Sequence, residues 1–185
     1  MRPIHPDVKE ILFDEEKIAE IVRNMGRQIS EDYKGKNLLL VSVLKGSLLF
    51  MADLMREITI PCAIDFLSVS SYGSGTKTSG EVRILKDLDA SLEGKDLLIV
   101  EDILDSGVTL SYLLKNLSAR KPASIRLCTF LDKPERRRVN IKADYIGASV
   151  PDEFIVGYGL DYAEFYRNLP YVGVLKPCVY SDKEE

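Results

Sequence analysis

A mostly parallel α/β sheet flanked by helices is the fold class that this sequence predicts, and three observations predict it. Short apolar runs recur, each too brief for a helix: "LLLVSV" at 38–43, "CAIDFLSVS" at 62–70, "LLIVE" at 97–101, "SIRLCTFL" at 124–131 and "ADYIGASV" at 143–150. Continuous apolar runs of this length read as strands buried on both faces, the pattern of parallel sheets. Between them lie segments of helical length or period, and that alternation is the mark of crossover-connected strands. Turn residues stand where two of the runs stop, in "LKGS" and "DSGVT".

The elements follow in order. Asp14 is placed to cap a first helix whose apolar positions Ile18, Ile21, Val22, Met25 and Ile29 share one face, with Glu15 and Glu16 in its first turn. After the 38–43 strand, "LLFMADLMREI" (48–58) has helical length and is apolar nearly all round, as in a buried helix. The 62–70 strand leads through the glycine-rich "SYGSGTKTSGE" to "VRILKD", an antiparallel excursion with a long loop. A helix from about Val108 to Ala119 follows the 97–101 strand, and the tail "FIVGYGLDYAEFYRNLPYVGVLKP" reads as short strands and turns. With no repeat, linker or second core in view, residues 1–185 are expected to form one domain, with 181–185 a flexible tail.

Composition narrows the function classes. A chain of 185 residues can bury roughly 70% of its unfolded surface, so no metal or disulfide staple is needed. Its net charge of −4 and pI near 5.2 argue against nucleic-acid or polybasic membrane partners. The three cysteines, Cys62, Cys128 and Cys178, are far apart and odd in number, which reads as free thiols in a reducing compartment. His5 is the only histidine, against a structural metal centre. The start "MRPIHPDVKEILFDEE" lacks a signal-peptide pattern, and no apolar run approaches the ~20 residues of a membrane span, so the expected location is the cytoplasm.

In open α/β sheets ligands bind beyond the carboxyl ends of the strands. Four such loops carry unusual residues: Lys45-Gly46, Ser71-Tyr72, "EDILDSGVT" and Asp132-Lys133. "DSGVT" at a strand-to-helix junction offers helix N-terminal N–H groups, two hydroxyls and a glycine that permits close approach, which suits a single phosphate. Neither a Walker loop nor a Rossmann turn is present, against triphosphate and dinucleotide ligands. Glu101 and Asp102, ending the strand, are placed to accept from a ligand's hydroxyls and to assist a divalent cation. Taken alone, such acids serve equally well as solvated strand ends or caps. On the same footing Lys133 reads as a surface lysine opening "KPERRR", Phe154 as a core aromatic, and Arg136, Arg137 and Arg138 as a solvated or interface charge run.

The full spacing changes the weight of these readings. "VEDILDSGVTL" resembles the phosphoribosyl-pyrophosphate motif of the type I phosphoribosyltransferases, in which two acids follow an apolar run and a D-[ST]-G-x-T loop closes the pattern. With "VLKGSLLFMADL", "SVSSYGS", "FLDKPERR" and "PDEFIVGYGLDYAEFYRNLPYVGVL" in the same order, the chain is similar to the bacterial hypoxanthine-guanine branch over about three quarters of its length. The resemblance implies that family's fold, with a small hood formed by terminal segments over the sheet.

It also implies residue roles. Glu101 and Asp102 would hold the ribose hydroxyls, while the backbone and hydroxyls of Asp105, Ser106, Gly107, Val108 and Thr109 would hold the 5-phosphate. Asp105 would be the catalytic acid or base near purine N7. Lys45 and Gly46 would contact pyrophosphate, in a loop that the family often builds with a non-proline cis peptide, and Arg167 would contact it too. Lys133 would donate to the 6-oxo group, Phe154 stack on the purine, Ile155 meet the base edge through its main chain, and Asp161 line the purine site. Glu101, Asp102 and, through water, Asp161 would serve Mg2+. The glycine-rich loop beginning with Ser71 and Tyr72 would be a lid that keeps water from the reacting ribose; the plainer reading is a flexible linker.

The implied reaction is Mg2+-dependent transfer of the 5-phosphoribosyl group from phosphoribosyl pyrophosphate to N9 of hypoxanthine or guanine, giving IMP or GMP and pyrophosphate in purine salvage. A xanthine-guanine transferase on the same scaffold is one alternative. A phosphoribosyl-pyrophosphate sensor that binds nucleic acid is another, disfavoured by the acidic pI and the lack of length for an added helical domain. A homodimer or homotetramer is expected by analogy, with the apolar 48–58 helix a candidate interface.

Overall fold

A computed structural model describes residues 3–71 and 82–181. Its larger sheet has six strands, β2 (Leu38–Leu44), β3 (Ala63–Ser71), β4 (Val82–Lys86), β5 (Asp96–Leu104), β6 (Ser124–Asp132) and β7 (Tyr145–Ser149), in the order β4-β3-β2-β5-β6-β7. All neighbours are parallel except β4, which returns antiparallel along β3 as expected for an excursion. Consecutive residues of β2 and β5 point to opposite faces and are buried on both. Leu38, Leu40, Leu98 and Val100 join one core cluster with Ile18, Met25, Ile29, Phe50 and Leu54; Leu39, Val41, Leu97 and Ile99 join another with Leu110, Leu113 and Leu117. That two-sided burial is why these strands lack the polar alternation of a solvated sheet.

The first cluster is roofed by α1 (Glu15–Asp32) and α2 (Leu48–Glu57), the second by α3 (Val108–Ser118). Asp14 caps α1 as its position predicts, its carboxylate accepting from the Lys17 amide at 2.8 Å. α2 is less buried than its composition suggests. Phe50, Met51 and Leu54 face the core, whereas Leu48, Leu49 and Met55 are exposed.

A second, three-stranded antiparallel sheet in the order β1-β9-β8 forms the hood, from β1 (Val8–Phe13), β8 (Ile155–Val156) and β9 (Val172–Leu175). No strand was assigned to "VKEILF" on sequence, because its pattern is irregular and its partner lies at the far end of the chain: Val8 stands opposite Leu175. Ile155, Tyr158, Leu160 and Val172 of the hood are buried in the α1/α2 core cluster. A final short helix, α4 (Pro177–Tyr180), ends in Ser181, whose hydroxyl donates to the Pro177 carbonyl at 2.7 Å. The rest of the expected tail, 182–185, lies outside the described residues, as do Tyr72 and the glycine-rich loop to 81; Ser71 ends β3. Among the described residues no helix is long and apolar enough to cross a membrane.

Candidate active site

The site opens where β5 parts from β2. Pairing between them stops at Ser42 opposite Val100, while β6 accompanies β5 as far as Leu104 opposite Asp132. The crevice lies at the topological switch point, with β2 and β3 turning one way and β5 and β6 the other. One expectation is corrected here: Glu101 and Asp102 do not end the strand. The ladder to β6 continues through Glu101 opposite Thr129, so the first charged residues of the run mark the loss of the β2 neighbour rather than the end of β5.

Both acids are half-buried. Oε2 of Glu101 is buried and has no hydrogen-bond partner among the described residues. Burial, and then the neighbouring Asp102, holds the Glu101 carboxyl well above its ordinary range. Asp102 is pushed up to about 6, chiefly by burial and against the pull of the Ile103 amide, which donates to it at 2.8 Å. Across the crevice the Leu44-Lys45 peptide is cis, and a Cβ on Gly46 would run into the Asp102 carboxylate, so the loop after β2 approaches that acid as only glycine permits.

Beside the acids, Asp105-Ser106-Gly107 turns the chain into α3. Gly107 holds φ +79° at the helix start and brings no capping side chain; the Val108 amide donates to the Ser106 hydroxyl at 3.5 Å, and the first-turn amides beyond it are left to a ligand or to solvent. The turn is braced from behind. Arg137 donates to the Leu104 carbonyl at 2.9 Å, to the Asp105 carbonyl and to the Asp132 carboxylate; the Arg138 amide reaches the Ser106 carbonyl at 3.0 Å and the Lys133 amide the Leu104 carbonyl at 3.0 Å. Within the arginine run, Arg136 and Arg138 are exposed, and Arg137 alone departs from a solvated face. A 3-10 turn at Pro134–Arg136 folds it back over the loop that follows β5.

Two cavities meet at this point. One of about 250 Å³ is lined by Gly46, Glu101, Asp102, Ser106, Gly107 and Thr109, among others; a second, of about 720 Å³, by Lys133, Phe154, Ile155, Asp161 and Tyr180, among others. Asp102, Ile103 and Asp105 line both. Lys133 is 7% exposed, donates from Nζ to the Glu153 carbonyl at 2.8 Å, and has its ammonium pKa lowered by burial, so it is no surface lysine. Phe154 is not a core aromatic either. It is 37% exposed and stacks on Tyr180 with centroids 5.1 Å apart. The side chain of Ile155 is buried in the core, and its backbone stands opposite Val174 of β9. Tyr180 was not singled out on sequence, since nothing local marks a tyrosine in the last helix as a cavity wall.

The loop after β8 closes the far side. Gly159 has φ +98°, and a Cβ there would strike the Gly46 carbonyl. Lys45 pairs with Glu164 at 2.8 Å. Arg167 donates to the Gly159 carbonyl at 2.8 Å and pairs with Asp161 at 2.8 Å, while its buried Nε has no partner among the described residues. Both oxygens of Asp161 are engaged, one by Arg167 and one by the Glu164 amide.

The donor set was tested against a cation. Among the described residues no three acids, histidines or cysteines cluster to hold a metal by themselves. Two adjacent half-buried carboxylates beside a turn that opens a helix do fit Mg2+, which keeps waters and is commonly held by one or two carboxylates together with substrate phosphates.

Comparison with known proteins agrees with the geometry. The family model described as "Phosphoribosyl transferase domain" matches residues 8–163. A hypoxanthine-guanine phosphoribosyltransferase of Staphylococcus aureus is 53% identical over 97% of this chain and 100% of its own length. The bifunctional protein TilS/HprT of Listeria monocytogenes is 54% identical over 97% of this chain, which spans only 28% of that protein's length. Among solved structures, a hypoxanthine phosphoribosyltransferase of S. aureus superposes with TM-score 0.94 at 53% identity, covering 96% of this chain and 97% of its own. That of Trypanosoma cruzi gives TM-score 0.93 at 44% identity, covering 99% of both chains. A family match running from the first hood strand to the loop that carries Asp161, joined to relatives aligned over nearly the whole length, makes this chain a member of the phosphoribosyl transferase domain family.

Proposed function

We propose that the chain transfers the 5-phosphoribosyl group of phosphoribosyl pyrophosphate to N9 of hypoxanthine or guanine, releasing pyrophosphate and forming IMP or GMP in purine salvage. The observation that carries this reading is that Asp102, Ile103 and Asp105 line both cavities, so an anion cradle and an aromatic pocket with a buried donor share one wall. A ribose spanning that wall would set its phosphate on the Ser106–Thr109 turn and its C1 toward the base.

The residues divide the work. First-turn amides of α3 with Ser106 and Thr109 bind the phosphate. Glu101 and Asp102 accept from the ribose hydroxyls and would hold Mg2+, with Asp161 acting through water. Bound there, the cation would neutralise pyrophosphate charge. Lys45, Gly46 and Arg167 orient the pyrophosphate. Phe154 stacks on the purine, the main chain at Ile155 meets its edge, and Lys133 donates to O6. Adenine offers donors at that position, and sites built on such a hydrogen bond reject the wrong partner by about 10⁴-fold or more. As the N9–C1 bond forms, the C1–O bond to pyrophosphate breaks and its electron pair leaves with the pyrophosphate, while Asp105 takes the proton from N7. Positioning and charge stabilisation carry most of the acceleration. Ser71 and Tyr72 would belong to a lid over the ribose. The whole chain would work as one domain in the cytoplasm, as a homodimer or homotetramer in which the exposed Leu48, Leu49 and Met55 of α2 are covered.

Purified protein supplied with phosphoribosyl pyrophosphate, Mg2+ and one base at a time is expected to form IMP and GMP, to form nothing with adenine or uracil, and to stop when the cation is chelated. Product with adenine, or undiminished turnover in chelator, would refute the assignment. Acidity supplies a second readout. Asp102 titrates at about 6 because burial disfavours its charged form, and only the charged form serves a cation and a diol. The binding constant for phosphoribosyl pyrophosphate with Mg2+ should therefore weaken by about tenfold for each pH unit below that value. Titration calorimetry between pH 7 and pH 5 measures it, and a flat profile removes Asp102 from the binding site.

A further inference from the structure

The carboxylate of Asp105 sits on a turn just beyond β5 and is 42% exposed. Among the described residues, the only side chain that donates a hydrogen bond to it is Arg136, from Nε at 3.0 Å. The same guanidinium reaches Asp152 at 3.4 Å through NH1, and Asp152 directly precedes Glu153, whose carbonyl receives Lys133. Asp152, Arg136 and Asp105 thus form a line along the wall of the 720 Å³ cavity, from the segment that presents Phe154 to the turn that starts α3. The three side chains are 45%, 47% and 42% exposed, and an ion pair so exposed adds little to folding stability. A fork that spans two carboxylates is instead suited to fixing direction, since its planar donors accept only a narrow range of acceptor geometry.

We propose that Arg136 is a positioning residue that aims the Asp105 carboxylate into the base cavity, using Asp152 as its fixed end. The proposal rests on the transferase reading above. Among the described residues, the Arg136 guanidinium donates only to the carboxylates of Asp105 and Asp152. Its neighbour Arg137 holds the backbone of the same turn, so the two arginines divide the task between main chain and side chain. Lys133 also bears on Asp105 electrostatically, while its Nζ donates to the Glu153 carbonyl and lies 4.0 Å from the Asp152 carboxylate.

The test is a double-mutant cycle on the full chain, with kcat and both KM values measured for the original protein, Arg136→Gln, Arg136→Lys, Asp105→Asn and the Arg136→Gln/Asp105→Asn pair. Arg136→Gln is expected to lower kcat about tenfold, below the full worth of an acid-base group, with KM for phosphoribosyl pyrophosphate within about twofold. Arg136→Lys, which keeps the charge but not the fork, should recover part of that loss. In the Asp105→Asn background, Arg136→Gln should change kcat by less than about twofold, because the group it aims is gone. An equal tenfold loss in both backgrounds, or a loss confined to KM for phosphoribosyl pyrophosphate, overturns the proposal. Unaltered turnover in Asp105→Asn alone overturns the role of Asp105 itself, and absence of nucleotide product from the original protein overturns the transferase reading.

Discussion

Replacing Asp105 by asparagine is expected to lower turnover by about 10² to 10⁴-fold, the usual worth of a positioned acid-base group. The substitution keeps the side chain's shape, so the turn that Arg137 braces through the Leu104 and Asp105 carbonyls should stand. Phosphate binding, which the proposed function assigns to the amides and hydroxyls after Asp105, should survive with it. The expected signature is a collapse of kcat with a dissociation constant for phosphoribosyl pyrophosphate within about twofold of the original, the pattern of an interaction made only in the transition state. Stopped-flow turnover and calorimetric binding on the same preparation read both quantities. Equal losses in the two would mean that Asp105 binds substrate rather than moving a proton.

Arg137→Met should act on the fold and the site together. The arginine and its carboxylate partner Asp132 are 17% and 13% exposed, and three acceptors share the one guanidinium. Methionine fills similar space but leaves a largely buried carboxylate and the Asp105 carbonyl without their donor, while the Leu104 carbonyl keeps the Lys133 amide. Breaking such a pair from one side costs about 3 kcal/mol, the lower end of the range because some water reaches it. The urea midpoint should fall accordingly with an unchanged slope, and KM for phosphoribosyl pyrophosphate should rise about tenfold as the turn loosens, that factor corresponding to about 1.4 kcal/mol of binding. A midpoint that does not move would return Arg137 to the solvated charge run that its sequence context suggests.

The sheet was legible because strands buried on both faces leave an unbroken apolar trace. "LLLVSV" and "LLIVE" correspond to β2 and β5, and Asp14 caps α1 as its position predicts. Other features were not legible, for definite reasons. The end of β5 was misplaced because a charged residue inside a strand looks like a boundary until the β6 ladder beside it is seen. Arg137 was passed over because two of its acceptors are main-chain carbonyls, at Leu104 and Asp105, and a carbonyl has no letter in a sequence. Lys133 and Phe154 read locally as a surface lysine and a core aromatic. Only the motif resemblance assigns them to a base site; the structure shows that Lys133 is buried and that Phe154 is partly exposed against Tyr180. Tyr180 and β1 depend on contacts with distant parts of the chain, which local periodicity does not encode.

The hood has a consequence for the order in which the molecule is made. β8 joins the hood sheet only through β9, and β9 lies against β1, with Val8 opposite Leu175. Phe154, Ile155 and Tyr180 cannot take up their places until that late strand exists. The parallel strands and the turn before α3 are all translated earlier, and their neighbours are closer along the chain. During synthesis the turn before α3 can therefore assemble while the segment that carries Phe154 still lacks its sheet partner, since long-range pairing waits on the strand made later. The aromatic pocket is thus the later of the two cavities to form, because β8 gains a sheet neighbour only once β9 has followed it.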